Sequence, residues 1–242
     1  MKLPLRFNSV VFDCDSTLSS IEGIEELARE HRAEVEALTD QAMRGTIPLE
    51  QVYGRRLELV RPTRSRVQAL GQRYIETLVP DAADTVAALM QEGVHVRVIS
   101  GGLKPAVVAL AAALGVEEEA VEAVDIYFDD NGLYAGFDAA SPLAASGGKR
   151  RVIQEWHLSR PVLMVGDGAT DQETQPVVDA FAAFTGVIYR EPVAAAADYI
   201  IRERSLASVL PLALGGQRPT AAAAQAVFDR GVELLGNNYL RT

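Results

Sequence analysis

The sequence predicts an α/β protein, with a parallel sheet covered by helices on both faces and a small helical insertion after the first strand. Two observations support this prediction. Short apolar runs rich in β-branched residues alternate with longer segments of helical character, and one long segment after the first run contains no strand pattern. The chain has 242 residues, which is enough to bury one sizeable core without disulfide bonds.

Five apolar runs are predicted to form the strands of this sheet. They cover residues 9–13, 94–100, 161–165, 180–185 and 199–201. The segment between each pair of runs is long enough for a crossover helix, and continuous apolar strands are typical of a parallel sheet that is buried on both faces.

Two segments depart from the alternation. Residues 22–78 contain amphipathic helical patterns at 22–28 and 49–60. This segment is too long for a simple crossover and too apolar for a linker. We therefore expect a helical insertion at about residues 20–78. In the second segment Asn131-Gly132 joins two strand-like runs, which predicts a β-hairpin. A last helix is expected from Thr220, its N-cap, to residue 235, ending at Gly236-Asn237.

Charge and composition exclude several classes of partner. The chain has 23 basic and 33 acidic residues, a net charge of −10, and no basic run, so neither nucleic acid nor an anionic membrane surface is an expected partner. The single cysteine cannot pair within the chain, and the N-terminus lacks the features of a secretory signal. We expect a reducing, cytoplasmic location. The oligomeric state stays open.

Polar clusters follow the predicted strands. Asp13 and Asp15 come directly after the first strand, and their spacing places both carboxylates on one face of an extended backbone. Residues 100–102 (SGG) and 166–171 (GDGATD) follow two further strands, and Lys149 precedes a helical segment. Because open α/β sheets bind ligands beyond the carboxyl ends of their strands, these clusters are expected to converge.

The residue types at this edge suit phosphoryl transfer. Glycines between a strand and a helix let backbone amides approach an anion, which makes Ser100, Gly101 and Gly102 suitable for a phosphate. The carboxylates of Asp13, Asp15 and Asp167 are hard oxygen ligands that match Mg²⁺. Lys149 would offset the negative charge that a phosphoryl group adds.

The paired carboxylates also suit covalent catalysis. An aspartate is ionised at neutral pH and can attack phosphorus without a partner base, which would form an aspartyl phosphate. A second carboxylate two residues away can protonate the leaving alkoxide and later activate water. Asp13 and Asp15 fit these two functions.

Four motifs, FDCDST, VISGG, SGGK and VGDGATD, resemble the four ordered motifs of the haloacid dehalogenase-like phosphatases. Their surroundings are similar to the phosphoserine phosphatase branch, and the resemblance covers about residues 8–202. It implies a Rossmann-like parallel sheet core formed by residues 1–19 and 79–242, with a helical cap domain at residues 20–78. It also implies a Mg²⁺ cofactor and a small phosphomonoester substrate, most simply O-phospho-L-serine.

The resemblance also assigns functions to single residues. Asp13 matches the nucleophile and Asp15 the general acid/base, while Asp13, the backbone carbonyl of Asp15 and Asp167 match the metal ligands. Asp171 would support the metal-bound waters. The phosphate-binding positions are those of Ser100, Gly101 and Lys149. In the cap, Glu22 matches the acid that meets the substrate amine, and Arg56 matches the arginine that binds the substrate carboxylate.

Two positions depart from the family pattern, because Leu49 replaces a frequent aromatic residue and Thr170 a frequent asparagine. Plainer interpretations also stay open at this point. Glu22 would serve as a first-turn helix acid, Arg56 as a surface charge beside Arg55, and Lys149 as a solvated lysine at a helix start. Three alternative functions remain: another small phosphomonoester as substrate, transfer to an acceptor alcohol such as homoserine, or a non-catalytic phosphate-sensing module.

Overall fold

The computed structural model describes residues 5–28, 31–43 and 47–238 of the chain. Its first half contains strand β1 (Ser9–Phe12) and helices α1 (Gly23–Ala28), α2 (Arg32–Met43), α3 (Leu49–Val60), α4 (Arg64–Glu76) and α5 (Ala82–Gln91), then β2 (His95–Leu103), α6 (Lys104–Ala113) and β3 (Val121–Val124). Its second half contains β4 (Ile126–Phe128), β5 (Tyr134–Phe137), α7 (Gly148–Glu155), β6 (Val162–Gly166), α8 (Ala169–Gln172), β7 (Ala180–Phe184), α9 (Glu191–Ala196), β8 (Tyr199–Ile201), α10 (Val209–Ala213) and α11 (Ala222–Asn238).

Six parallel strands form the central sheet in the order β3-β2-β1-β6-β7-β8. All residues of β1, β6 and β7 are buried, because helices cover both faces and the strands are apolar throughout. The predicted α/β fold is confirmed, and each of the five predicted strands is present. The sheet has one further strand, β3, which the sequence analysis missed.

The strand order reverses at β1. The chain passes from β1 to β2 and β3 on one side of the sheet, and β6, β7 and β8 lie on the other side. The crevice between the carboxyl ends of β1 and β6 is therefore the expected ligand site of this topology. Asp13 directly follows β1, and Asp167 directly follows β6.

Helices α1 to α4 lie between β1 and α5, in the segment predicted as a helical insertion. The predicted hairpin is confirmed as β4 and β5, and its turn contains Gly132 at a φ of +75°. This hairpin contacts the insertion, because the Arg64 N–H donates to the Gly132 carbonyl over 2.9 Å and the rings of Tyr53 and Phe137 lie 5.2 Å apart. The division into residues 1–19 and 79–242 against 20–78 stays a prediction.

Helix α4 packs along α6 at a close contact. A Cβ atom on Gly71 would lie only 2.9 Å from the Cβ of Ala109, so the glycine allows the two helices to approach. The last helix differs from its prediction, because α11 begins at Ala222 and continues through Gly236 to Asn238. Gly236 faces open space, and a single glycine in a helix interior costs only about 1 kcal/mol, which the remaining helix can offset.

Within the described ranges, no helix is both long and apolar enough to cross a membrane.

We expect the same substitution to have opposite effects at these two helical glycines. Gly71→Ala should lower the free energy of unfolding by about 1–3 kcal/mol, since the added methyl group overpacks the contact between α4 and α6. Gly236→Ala should raise it by roughly 0.5–1 kcal/mol, because alanine restricts the unfolded chain and meets no atom in the folded one. Urea unfolding of both variants measures the two changes, and a stabilised Gly71→Ala would contradict the packing described here.

Candidate active site

Asp13 lies at the end of the central strand and pairs with Lys149. The Asp13 N–H donates to the Val165 carbonyl over 2.9 Å, which fixes Asp13 between β1 and β6. The Lys149 ammonium nitrogen lies 2.5 Å from Asp13 Oδ1 and 2.7 Å from Asp171 Oδ1. All three side chains are buried, so the lysine is an internal ion-pair partner. A solvated lysine at a helix start is therefore excluded for Lys149.

The charges of this group depend on each other. Burial raises the pKa of Asp13 well above its usual range and Asp171 adds to the effect, while Lys149 opposes it. Burial by itself would lower the pKa of Lys149, but the two carboxylates raise that pKa above its ordinary value. Lys149 is thus held as a cation by the acids whose repulsion it offsets.

Three carboxylates form a compact cluster at the same edge. Asp13, Asp167 and Asp171 each place one oxygen within 4.8 Å of the others. Gly166 makes this approach possible, because a Cβ there would lie 2.2 Å from Cγ of Asp171. Burial raises the pKa of Asp167 to about 8, against the opposing effect of Arg190. Such a buried set of oxygens is suited to a hard cation.

The Asp15 carboxylate is not part of this cluster and has its own partners. Residue 16, the serine after Asp15, has a left-handed φ of 54°, which turns the chain sharply after β1. Asp15 Oδ1 accepts hydrogen bonds of 2.7 Å from the Gly23 N–H and 2.7 Å from the Tyr74 hydroxyl. Asp15 Oδ2 accepts a longer bond of 3.2 Å from the Ser100 hydroxyl. This leaves the Asp15 backbone carbonyl as its predicted contribution to a metal site.

The segment predicted to bind phosphate lies at the end of β2. The Ser100 hydroxyl oxygen accepts a 2.8 Å hydrogen bond from the Gly102 N–H, and the Gly101 carbonyl accepts a 2.8 Å bond from the Tyr53 hydroxyl. A Cβ on Gly102 would lie 3.1 Å from Asp15 Oδ2, so the glycine keeps the two polar segments close. The structure thus brings Ser100 and Gly101 next to the predicted acid/base.

Glu22 and Arg56 line the same cavity of about 640 Å³ as Asp13, Asp15 and Lys149. Glu22 accepts a 2.6 Å hydrogen bond from the serine that follows Asp15, and burial raises the pKa of Glu22 to about 7. Burial also lowers the pKa of Arg56, which the nearby carboxylates of Glu22 and Glu25 oppose. Arg56 is half-buried while its neighbour Arg55 is exposed, so Arg56 is not merely a surface charge.

Arg190 is a site residue that the sequence analysis missed. One of its guanidinium nitrogens pairs with Asp167 Oδ2, and the other lies 3.9 Å from Glu22 Oε1. Arg190 lies in the segment that follows β7, and β7 is the neighbour of β6 in the sheet. Its closeness to Asp167 therefore follows from the strand order, which the sequence analysis did not predict. Tyr53 and Tyr74 were missed as well, because each reaches the site from a helix far away in sequence.

The chain is similar in sequence to known hydrolases. The sequence model of the haloacid dehalogenase-like hydrolases matches residues 7–174. The chain is 39% identical over 202 residues to phosphoserine phosphatase of Bos taurus, covering 81% of this chain and 89% of that protein. It is 39% identical over 198 residues to phosphoserine phosphatase of Homo sapiens, covering 79% and 88%.

Solved structures show the same similarity in three dimensions. A substrate-bound phosphoserine phosphatase superimposes with a TM-score of 0.71 at 26% identity, covering 86% of this chain and 98% of that one. A phospho-aspartyl intermediate analogue of phosphoserine phosphatase gives a TM-score of 0.70 at 26% identity, covering 85% and 98%.

We expect Lys149→Met to destabilise the metal-free protein strongly. The substitution keeps the apolar length of the side chain but leaves two buried carboxylates without their cation, which typically costs about 3–5 kcal/mol. Urea unfolding in EDTA measures the loss. Added Mg²⁺ should recover part of it, since a bound cation again offsets the carboxylate repulsion.

Lys104→Met is the matched control, because Lys104 makes a 3.8 Å ion pair with Glu122 at a partly exposed position away from the cavity. Such a pair contributes only about 0–1 kcal/mol. Equal losses in the two variants would contradict the view that Lys149 balances a buried acidic group.

Proposed function

Because the chain belongs to the haloacid dehalogenase-like hydrolases, in the phosphoserine phosphatase branch, we propose that it hydrolyses O-phospho-L-serine to L-serine and phosphate through a phosphorylated Asp13. One observation carries the proposal. A single cavity contains Asp13 beside Lys149 and, in the same space, the carboxylate of Glu22 and the guanidinium of Arg56. The first pair suits phosphoryl transfer, and the second pair suits a zwitterionic amino acid.

In the first half of the reaction Asp13 attacks the phosphorus atom. The bond between phosphorus and the serine oxygen breaks, and Asp15 gives its proton to that oxygen, so that L-serine leaves as the neutral alcohol. In this proposal Lys149 and the N–H groups of the segment at Ser100 and Gly101 bind the negative charge of the transferred phosphoryl group. The short contact between Lys149 and Asp13 supports this arrangement.

In the second half a water molecule attacks the phosphorus atom of phospho-Asp13. Asp15, now a carboxylate, accepts a proton from that water, and the Asp13 carboxylate leaves. Asp15 is suited to both halves because its carboxylate lines the cavity outside the buried acidic cluster, where it is free of the ion pair with Lys149. Phosphate is then released and Asp15 carries the proton needed for the next turnover.

The donor set at this edge fits Mg²⁺. Asp13, Asp167 and Asp171 provide buried oxygens within 4.8 Å of each other, without a soft ligand. We propose that Asp13, Asp167 and the backbone carbonyl of Asp15 hold the ion and that Asp171 supports its waters. Bound there, Mg²⁺ supplies positive charge that offsets the repulsion between phosphate and the carboxylates.

We propose that residues of the helical insertion select the substrate among phosphate monoesters. Glu22 would pair with the substrate ammonium group and Arg56 with its carboxylate, while the residues at the sheet edge handle any phosphate monoester. The relatives named phosphoserine phosphatase, matched over most of their length, support this choice of substrate. The cytoplasmic location and the lack of nucleic-acid and membrane partners stay predictions from composition.

A phosphate-release screen tests the proposal. With Mg²⁺ present, we expect phosphoserine to give the highest kcat/KM among phosphoserine, phosphothreonine, phosphoethanolamine and a sugar phosphate, and excess EDTA should abolish turnover. Asp13→Asn should be inactive with an unchanged circular dichroism spectrum, because the covalent route has no other attacking group. Preference for a sugar phosphate would refute the substrate, and a fully active Asp13→Asn would refute the mechanism.

Three substrates separate the contributions of Arg56 and Glu22. Phosphoserine has a carboxylate and an ammonium group, phosphoethanolamine has only the ammonium group, and p-nitrophenyl phosphate has neither. Arg56→Ala should lower kcat/KM for phosphoserine by about one to two decades, since a charge-assisted contact contributes about 1.5–3 kcal/mol, and spare the other two. Glu22→Gln should impair phosphoserine and phosphoethanolamine but spare p-nitrophenyl phosphate.

The matched controls are Arg55→Ala and Glu26→Gln, which remove the same charges from exposed positions one residue and four residues away. Both controls should keep the wild-type order of substrates. If Arg56→Ala and Glu22→Gln weaken all three substrates in equal proportion, the two residues do not select the substrate, although the phosphatase activity itself would stand.

A further inference from the structure

The hydroxyl group of Tyr74 reaches the carboxylate of Asp15, and we infer that Tyr74 is a positioning residue that decides which oxygen of Asp15 transfers the proton. Oδ1 is the oxygen held by hydrogen bonds, and Oδ2 is the oxygen that gives its proton to the leaving group and later takes one from water. The inference rests on the proposed function, because it refines the acid/base role given there to Asp15.

The partners of the two oxygens differ in kind. Oδ1 accepts two hydrogen bonds of 2.7 Å, from the Tyr74 hydroxyl and the Gly23 N–H. A backbone N–H is only a donor, so a proton on Oδ1 would face it without a partner. Oδ2 has the Ser100 hydroxyl at 3.2 Å, and a hydroxyl can rotate and accept instead of donating. The acid form of Asp15 therefore carries its proton on Oδ2.

The Tyr74 hydroxyl is the donor in its hydrogen bond with Asp15. The Tyr74 side chain is fully buried, and its hydroxyl lies 2.7 Å from Asp15 Oδ1. In this bond the phenol hydroxyl is the donor and the carboxylate oxygen is the acceptor. The ring is held in the core, so the donor has one defined direction.

Two glycines leave room for this arrangement. A Cβ on Gly23 would lie 1.9 Å from the Tyr74 hydroxyl oxygen, so any other residue at position 23 would displace the anchor. On the other side, a Cβ on Gly102 would lie 3.1 Å from Asp15 Oδ2. Space is therefore kept for the Tyr74 hydroxyl beside Oδ1 and for Oδ2 beside the backbone of Gly102.

The anchor belongs to a closely packed part of the protein. Tyr74 belongs to α4, which packs against α6 through the close approach of Gly71 and Ala109. Helix α6 follows directly on β2, the strand that contains Ser100. Both sides of the Asp15 carboxylate are thus held from the same packed unit. This precision matters because a displacement of about 1 Å at a reacting group can cost about 10²-fold in rate.

The proton balance follows from this assignment. As the bond between phosphorus and the leaving oxygen breaks, the proton on Asp15 Oδ2 passes to that oxygen. When water attacks phospho-Asp13, Oδ2 takes a proton from the water and Asp15 returns to its acid form. Without the Tyr74 hydroxyl, the carboxyl group of Asp15 loses one of its two anchors at Oδ1 and can turn about its Cβ–Cγ bond.

The test is the leaving-group dependence of Tyr74→Phe. Phenyl phosphate and p-nitrophenyl phosphate both lack the carboxylate and ammonium groups of phosphoserine, so neither depends on Glu22 or Arg56. Phenolate, whose conjugate acid has a pKa of about 10 like tyrosine, needs a proton as it leaves, whereas the nitro group stabilises p-nitrophenolate without one. The parameter is kcat/KM, which reports the steps up to transfer of phosphate to Asp13.

We expect Tyr74→Phe to lower kcat/KM for phenyl phosphate about tenfold or more, which is a part of the roughly 10²–10⁴-fold that general acid catalysis contributes. The kcat/KM for p-nitrophenyl phosphate should stay within about threefold of the wild-type value. The control is Tyr134→Phe, because Tyr134 is also buried and its hydroxyl has no hydrogen-bond partner within the described part of the chain. That variant should change neither substrate. Equal losses for both substrates in Tyr74→Phe, or no loss for either, would overturn the inference.

A double-mutant cycle shows whether Tyr74 acts through Asp15. In an Asp15→Asn background, adding Tyr74→Phe should cause no further loss with phenyl phosphate, because the acid is already absent. A further tenfold loss there would assign Tyr74 a general structural effect and overturn the inference. If the wild type cleaves neither substrate nor phosphoserine, the proposed function itself fails; an active wild type with additive losses refutes only the function of Tyr74.

Discussion

The burial of like charges at the carboxyl ends of β1 and β6 is the constraint on which the rest of the site depends. Asp13, Asp167 and Asp171 lie within 4.8 Å of one another and are buried, so their repulsion must be offset locally. Lys149 does this through bonds of 2.5 and 2.7 Å, and Arg190 pairs with Asp167. A cluster of carboxylates whose repulsion is offset by cations is also one that a divalent cation can enter.

This density of polar groups explains the glycines around the site. Gly166 accommodates Asp171, Gly23 accommodates the Tyr74 hydroxyl, and Gly102 lies against Asp15 and Ser100. At the first two positions a Cβ would overlap a functional group, at 2.2 and 1.9 Å. Close approach of neighbouring polar groups is thus the reason for glycine at these positions.

The sequence was informative where function follows from position along a strand. Asp13, Ser100 and Asp167 were placed at one edge because the ends of parallel strands meet there. β3 was missed since its sequence, VEAV, contains a glutamate and an alanine and lacks a continuous β-branched run. Arg190 and Tyr74 were missed for another reason. Their contacts with the site arise only from tertiary placement, which no local pattern of residues carries.

The two sides of the cavity are electrostatically connected. Arg190 contacts Asp167, which belongs to the sheet edge, and its other nitrogen lies 3.9 Å from Glu22, which belongs to the helical insertion. At both acids burial raises the pKa and Arg190 opposes that rise. The group that balances the carboxylate cluster therefore also favours the anionic form of Glu22. The recognition of a substrate ammonium group that we propose for Glu22 is accordingly not independent of the assembly of the acidic cluster, although the two reside on different elements.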